Sequence, residues 1–371
     1  MAVRAGALEA YTVTLAVRDA YSQPISNAIT WFDINAPKSA RTDGTGTATI
    51  SSVTGGVYLA VARHQNYGRA DARQVTVTSN MTVTFQLPPQ TTFRIGTYNT
   101  MGYDSWSDSQ IKPLARILWT VQPDIMTINE CPNSGTTFPQ FVRIFLPGYT
   151  NVVSIYGGPL HNGILSFFPL TNTASFGAGA PMIRDVFTSI VRTPQDMPLT
   201  IACVHFKAGS TVSDAEQRLE ESAYTGQLCS NWYTQGRLVW LSGDFNDDPA
   251  NPILSTNVHT ILHNAGARLV ELDPRDDGGS TVTWPPNSRL DYLSPVSNIA
   301  VVVVAQRVFR TETMTNRPAW LSSGDSAAAS DHRLLYADVA VLPEPVAGAA
   351  CVCCIWFARR RQQTHNPAAA L

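Results

Sequence analysis

The sequence predicts an α/β or α+β class with packed sheets, preceded by an all-β sandwich. Three observations lead there. Residues Tyr11 to Leu87 alternate apolar and polar side chains in short runs separated by turn residues. From Phe93 onward, short apolar runs alternate loosely with stretches of helical spacing. Several of these later runs end on a polar group, at Asn99, Glu130, His205 and Asp244. A chain of 371 residues has room for two domains and a sizeable core.

In the first segment, Tyr11–Val17, Thr47–Ile50, Val57–Val61, Val75–Thr78 and Met81–Leu87 read as strands. Gln23-Pro24, Asp43-Gly44-Thr45-Gly46, Gly55-Gly56 and Ser79-Asn80 supply the turns. Several short strands at this spacing imply a sandwich. The segment shows no catalytic cluster, and His64 reads as a surface or structural histidine. Pro88-Pro89 ends the last strand and makes a short stiff linker, placing an accessory domain at 1–89.

The second segment, 90–342, opens with the strand Phe93–Tyr98. Ile111, Leu114, Ala115 and Leu118 carry helical spacing over Ile111 to Val121. Strands follow at Pro123–Asn129, Asn162–Leu170 and Leu199–Val204. Ser213 to Cys229 reads as a polar helix with Asp214 in its first turn. Leu238–Leu241, Arg289–Leu293, Val301–Val304 and Leu334–Val341 complete the strands.

Composition narrows the function classes. Net charge is −2, which argues against a global basic footprint for nucleic acid but leaves room for a local basic groove. Lysine is nearly absent (Lys38, Lys112, Lys207), so arginine carries the positive charge. Cys131, Cys203 and Cys229 lie mid-chain, and Cys351, Cys353 and Cys354 crowd the tail. Their spacing does not suit a zinc site, and a disulfide within the middle group stays open.

The chemistry concentrates at strand ends. Gly243 breaks an apolar run and delivers Asp244 and Asn246, which extended spacing would place on one face. An Asx turn explains that stretch equally well. Joint occurrence with Asn99, Glu130, His205, Asp291, Asp331 and His332 is harder to dismiss. Sheet packing brings strand ends to one rim. Their oxygens suit Mg²⁺, Mn²⁺ or Ca²⁺, and the two histidines can supply acid and base. That equipment fits phosphate-ester hydrolysis. His161 can line the substrate side. Arg184 and Arg218 can each face phosphate, and the sequence does not rank them. Asp247 and Asp248 read as a turn or helix start, and Cys131 as a small buried side chain.

The ordered set Tyr98-Asn99, Asn129-Glu130, Asn162-Gly163-Ile-Leu-Ser166, Val204-His205, Gly243-Asp-Phe-Asn246, Arg289-Leu-Asp-Tyr292 and Ser330-Asp-His332 resembles the endonuclease/exonuclease/phosphatase superfamily over Phe93 to Val341. The resemblance implies a four-layer α/β sandwich of two packed β-sheets flanked by helices, with Mg²⁺ or a similar ion and phosphodiester or phosphomonoester cleavage. It implies Glu130 as main metal ligand, with Asn99 and Asp331 close to the ion. Asp244 would orient or deprotonate the attacking water, and Asn246 would hold phosphate or water. Asp291 would buttress His332, which would contact the phosphate or activate water. His205 would donate a proton to the leaving oxygen or stabilise phosphate charge. It resembles the deoxyribonuclease I-like and sphingomyelinase-like branches at this position. Asn162 joins the substrate side, and Lys207 is read either as a phosphate contact or as a solvated side chain. The first segment resembles carboxypeptidase regulatory-like and collagen-adhesin B-type domains, which are prealbumin-like sandwiches.

The tail, 343–371, carries Pro343-Glu-Pro345, an apolar run to Ala358 and Arg359-Arg-Arg361. It resembles the Pro-Glu-Pro carboxy-terminal sorting signal (PEP-CTERM). That resemblance implies export to the cell surface, exosortase-type processing and a transient membrane anchor, although Met1 to Ala10 does not read as a secretory signal. The expected partner is a phosphate-ester substrate, a nucleic acid or phospholipid head group among them, and the expected state is a monomer. The alternative is a non-catalytic cell-surface binding or matrix protein that retains the fold.

Overall fold

The computed structural model describes residues 9–341 apart from 104, 134, 195 and 298–300. The sorting-signal reading of 343–371 therefore lies outside the described residues. No helix among the described residues is long and apolar enough to cross a membrane.

Seven strands form the first segment: β1 (Ala10–Asp19), β2 (Ile29–Phe32), β3 (Lys38–Arg41), β4 (Thr47–Thr54), β5 (Gly56–Arg63), β6 (Arg73–Val77) and β7 (Met81–Leu87). They make a three-stranded sheet, β4-β1-β7, and a four-stranded sheet, β3-β2-β5-β6. Val13, Leu15, Phe32, Ala60, Val75 and Phe85 fill the space between the sheets. Sequence reading missed β2 and β3. All four residues of β2 are buried, so it lacks the alternation that marks a strand with one wet face.

The second segment runs β8 (Phe93–Asn99), α1 (Asp108–Val121), β9 (Ile125–Cys131), α2 (Phe138–Phe145), β10 (Thr150–Val153), β11 (His161–Ser166), β12 (Leu170–Phe176), β13 (Val186–Arg192), β14 (Pro198–His205) and α3 (Val212–Thr234). It continues with β15 (Leu238–Asp244), α4 (Val258–Asn264), β16 (Asp291–Pro295), β17 (Val301–Phe309), α5 (Asp325–Ala329) and β18 (Leu334–Val341). One sheet is ordered β10-β11-β9-β8-β18-β17, the other β12-β13-β14-β15-β16. Ile95, Ile125, Ile164, Ile201, Trp240 and Leu335 pack in the core between them. Helices α1 and α2 cover the outer face of the six-stranded sheet, and α3 and α4 that of the five-stranded sheet. The expected four-layer α/β sandwich is what the chain forms.

The single strand expected over Asn162–Leu170 is two strands in different sheets. Pro169 cannot donate to a ladder, and the Phe167 N–H leaves it to bond the Asp124 carbonyl at 2.7 Å. The chain crosses between sheets there. Cys131, Cys203 and Cys229 are buried free thiols.

The two segments share a core. Ile29, Trp31, Leu59 and Val61 pack into the same cluster as Trp119, Phe145 and Tyr149. Trp31 stacks on Trp119 and Tyr149, with centroids 6.0 and 5.9 Å away, and its indole N–H donates to the Pro147 carbonyl at 2.9 Å. Buried Arg63 is ion-paired with Asp124 and donates to the carbonyl of Pro123 at 3.0 Å. Arg69 bridges Asp124 and Asp338.

This junction predicts coupled unfolding. Urea denaturation followed by tryptophan fluorescence and by far-ultraviolet circular dichroism should give one coincident transition. Trp31→Ala should destabilise the whole chain by about 3–5 kcal/mol. A separate early transition for the β-rich segment would contradict the shared core.

Candidate active site

Strand register builds the site. Parallel β14 and β15 pair His205 with Asp244, and antiparallel β15 and β16 pair Asp244 with Asp291. Three chemistry-bearing side chains thus stand in a row across one end of the five-stranded sheet. In the six-stranded sheet, parallel β8 and β9 pair Asn99 with Asn129, which puts Glu130 one residue beyond. The Ser330 hydroxyl donates to the Asn99 carbonyl at 2.8 Å and accepts the His332 N–H at 3.1 Å, pinning His332 above β8.

The backbone is strained where the site forms. Glu130 has φ +56° and Asn246 φ +50°, left-handed values that cost a non-glycine residue roughly 1–3 kcal/mol when poorly tolerated. Two glycines are needed by contact. A Cβ on Gly243, which sits at φ +144°, would lie 1.9 Å from the Val204 carbonyl oxygen. One on Gly102 would lie 2.2 Å from that of Glu130. Because Asn246 leaves the extended region, it does not share a face with Asp244 as extended spacing suggested. Its Nδ2 donates instead to the Phe206 carbonyl at 3.0 Å, and its N–H caps Asp244 Oδ1 at 2.8 Å.

The side chains converge. Asn99 Nδ2 donates to Glu130 Oε1 and Asp244 Oδ2, each at 3.0 Å. His332 Nδ1 lies 2.8 Å from Asp291 Oδ2, and its Nε2 3.7 Å from Asp244 Oδ2. His205 Nε2 lies 3.6 Å from Asp244 Oδ2 and 3.8 Å from Glu130 Oε1.

Burial raises the Glu130 carboxyl above its usual range, against the Asn99 hydrogen bond. Burial pushes Asp244 up to about 7, with repulsion from Asp291 adding and the His332 charge opposing. Burial pulls His332 down, yet Asp291 and Asp244 outweigh it and raise the imidazole to about 10. His205 goes the other way. Burial, then Arg184 and His332, hold it well below its ordinary 6.5.

A divalent cation fits this donor set. Glu130 Oε2 is buried with no hydrogen-bond partner, a costly arrangement for a carboxylate without a counter-charge. Asp244, Asp291 and His332 also place ligand atoms within 4.8 Å of one another. In that trio the imidazolium already serves as the cation, so Glu130 is the better anchor.

Other expected residues fall elsewhere. Asn99 presents its amide nitrogen to the carboxylates, so in this rotamer it is a donor to them rather than a ligand. Asp331 is exposed and outside the Asp244–Asp291–His332 trio, but its charge acts on Glu130 and His332 from the rim; its Oδ2 lies 3.4 Å from the Trp284 indole nitrogen. Lys207 is committed to Asp214 at 2.6 Å, so it is neither a free phosphate contact nor simply solvated. Asn162 is fully buried beneath the site, accepting from Asn129 at 2.8 Å and donating to the Asp185 carbonyl at 2.9 Å, which gives it a bracing place rather than a substrate-facing one. His161 is buried beside Cys131 on the neighbouring strand, with Nδ1 3.0 Å from the Tyr156 carbonyl oxygen and Nε2 3.0 Å from Asn133 Nδ2.

The structure separates the two arginines. Arg218 is buried and donates to the carbonyls of Lys207 and Gly209. Arg184 is an electrostatic neighbour of Asp244 and Glu130 and donates to the carbonyls of His205 and Phe206 at 3.2 and 3.0 Å. Tyr103, 55% exposed, feels Glu130, Asp331 and Arg184. Neither Arg184 nor Tyr103 lies in a strand, and no spacing rule marks either one.

No family model matches the chain, and no curated protein matches it. Solved structures do. The catalytic domain of human Nocturnin, solved with a bound sulfate anion, superposes with a TM-score of 0.50 at 20% identity, over 68% of this chain and 94% of its own. This chain has the endonuclease/exonuclease/phosphatase fold. A protein of that description from Beutenbergia cavernae gives a TM-score of 0.51 at 19% identity, over 70% of this chain and 74% of its own. At these identities the likeness establishes the fold, and the site above supplies the chemistry.

The raised His332 predicts a pH-dependent stability. Folding lifts its pKa from 6.5 to about 10. Its pairing therefore stabilises the fold fully below about pH 6.5 and is lost as pH rises through about 10. In chelator, the denaturation midpoints of wild type and His332→Gln should differ most at and just below about pH 6.5 and converge above about pH 10. A gap that does not vary with pH would contradict this assignment.

Proposed function

We infer that this chain is a divalent-cation-dependent hydrolase of phosphate esters, acting on phosphodiesters. The observation that carries the reading is the convergence of three buried carboxylates, Glu130, Asp244 and Asp291, on two cationic groups, His332 and Arg184. Negative charge is in surplus, and two of the carboxylate oxygens, Glu130 Oε2 and Asp291 Oδ1, are unpartnered. Such a cluster is stable when a cation completes it.

Glu130 would hold that cation through Oε2, with Asp331 nearby. When bound, it would polarise a phosphoryl oxygen and neutralise developing charge. Asp244, pushed up to about 7, has a basicity suited to taking a proton from attacking water at neutral pH. Protonated His332 offers Nε2–H to a phosphoryl oxygen or leaving group, and Asp291 holds the ring through Nδ1. Arg184 adds a fixed positive charge for the phosphate. His205 enters as a neutral imidazole, so it acts as a hydrogen-bond donor rather than as the protonated acid. Asn246 contributes mainly by fixing Asp244. None of these positions carries an apolar replacement, which speaks against the non-catalytic reading.

Turnover of bis(p-nitrophenyl) phosphate with Mg²⁺ or Mn²⁺ tests this. Chelator should abolish it, and His332→Ala should lower kcat about 10²–10⁴-fold. Arg184→Ala should lower kcat/KM on the order of 10²-fold, the scale of one lost charge-stabilising donor. Activity unchanged by chelator and by both substitutions would refute the hydrolase.

A further inference from the structure

The β-rich segment docks at the end of the sheets opposite to the catalytic groups. Arg94 and Asp124 meet it where β8 and β9 begin, whereas Asn99 and Glu130 stand where those strands finish. Seven-residue strands separate the two ends by about 20 Å. Anything bound at this end of the sheets is therefore remote from hydrolysis.

A cleft of about 310 Å³ lies there, lined by Asp19, Tyr21, Asn66, Tyr67, Pro89 and Gln90. Tyr21 is 82% exposed, yet it is not on a loose tip. Asp19 Oδ1 accepts the N–H groups of both Tyr21 and Gln23 at 2.8 Å. Ser22, at φ +65°, closes the turn by donating to the Asp19 carbonyl at 3.0 Å. The Gln86 amide reaches the carbonyls of Asp19 and Ala20 from β7. The facing wall is also fixed, since Tyr67 and Pro89 form a backbone bridge. Gln90 Oε1 is buried without a partner.

The geometry points to a binding site for a neutral carbohydrate, formed by Tyr21, Tyr67, Asn66, Asp19 and Gln90. A pyranose ring presents a flat C–H face and a rim of hydroxyls. A tyrosine carried on a braced turn supplies contact area for that face. Asn66 offers both donor and acceptor to sugar hydroxyls, and Asp19 and Gln90 add further polar groups to the lining. An acidic or phosphorylated ligand would meet the Asp19 carboxylate, with no cationic side chain lining the cleft. Held there, the chain would turn its catalytic mouth away from the glycan.

Native gels of the full chain cast with laminarin, xylan, glucomannan or glycol chitin test the site. Retardation is expected in at least one. Tyr21→Ala should weaken it at least about tenfold, Tyr21→Phe should keep most of it, and Asn66→Ala should reduce it. Bis(p-nitrophenyl) phosphate turnover should be unchanged by Tyr21→Ala, and His332→Ala should bind glycan normally, so each reading can fail without the other. No retardation in any gel, or retardation indifferent to Tyr21→Ala, overturns the site. Retardation that vanishes in His332→Ala overturns it too, because the sugar would then occupy the hydrolytic centre.

Discussion

Asn129 sits between the two sheets, and its side chain bonds in three directions. Its Nδ2 donates to Asn162 Oδ1 at 2.8 Å and to the Val204 carbonyl at 2.9 Å. Its Oδ1 accepts the backbone N–H of Asp244 at 2.9 Å. Two sheets packed face to face through apolar side chains can slide at little cost, because such contacts are non-directional. A fully buried amide cannot slide without orphaning several polar groups. Asn129 thus fixes the height at which β9 meets β14 and β15. Glu130 from one sheet and His205 and Asp244 from the other are brought level by that bond set. The hydroxyls of Thr127 and Ser242, 2.9 Å apart, tie the same strands two residues below.

The opposite end of the sheets is held by charge as well as by packing. Asp124 is almost fully buried and takes Arg63 and Arg69 from the β-rich segment, plus the Arg94 N–H at 2.6 Å. Removing one partner of such a group leaves a buried charge unpaired, which is strongly destabilising. Trp31 and Val61 cover apolar surface of α1 and its neighbours that would otherwise face water. The segment is therefore part of the folded unit at its base, and the Pro88-Pro89 connection is packed against it, with the Gly68 N–H bonded to the Pro88 carbonyl at 2.8 Å. A flexible stalk would show neither a shared core nor buried cross-segment ion pairs.

Much of this architecture was legible in the sequence, for identifiable reasons. Strands with one buried face announce themselves by alternation, as β7 does. Helix α1 shows its apolar stripe at Ile111, Leu114, Ala115 and Leu118. The strand-end residues Asn99, Glu130, His205, Asp244, Asp291 and His332 could be named because the chain breaks from apolar to polar at each. What stayed hidden depends on partners distant in sequence. Lys207 is drawn off by Asp214, Asn162 is buried by Asn129, and Arg184 is folded in from a loop. Short α4 and α5 and the buried β2 carry too little periodicity to be seen. The left-handed turns at Glu130 and Asn246 carry no glycine to mark them.

The two histidines show how one pocket can prepare opposite protonation states. Both are nearly fully buried, so desolvation pushes each toward neutrality. They differ in what lies beside them. His332 has Asp291 at 2.8 Å on Nδ1 and Asp244 at 3.7 Å on Nε2, and the attraction of two carboxylates outweighs the loss of hydration. His205 Nδ1 is unpartnered, and the charges of Arg184 and His332 reinforce the effect of burial. Once His332 is cationic, protonating His205 would set like charges close together in a dry site, so the first protonation suppresses the second. Pairs of titratable groups driven apart in this way mark division of labour in catalytic sites. Asp291 decides that division, since it is the carboxylate bonded to one ring and not the other. The charge that His332 can present to a phosphate is thus set from behind, by a residue on the far side of the imidazole.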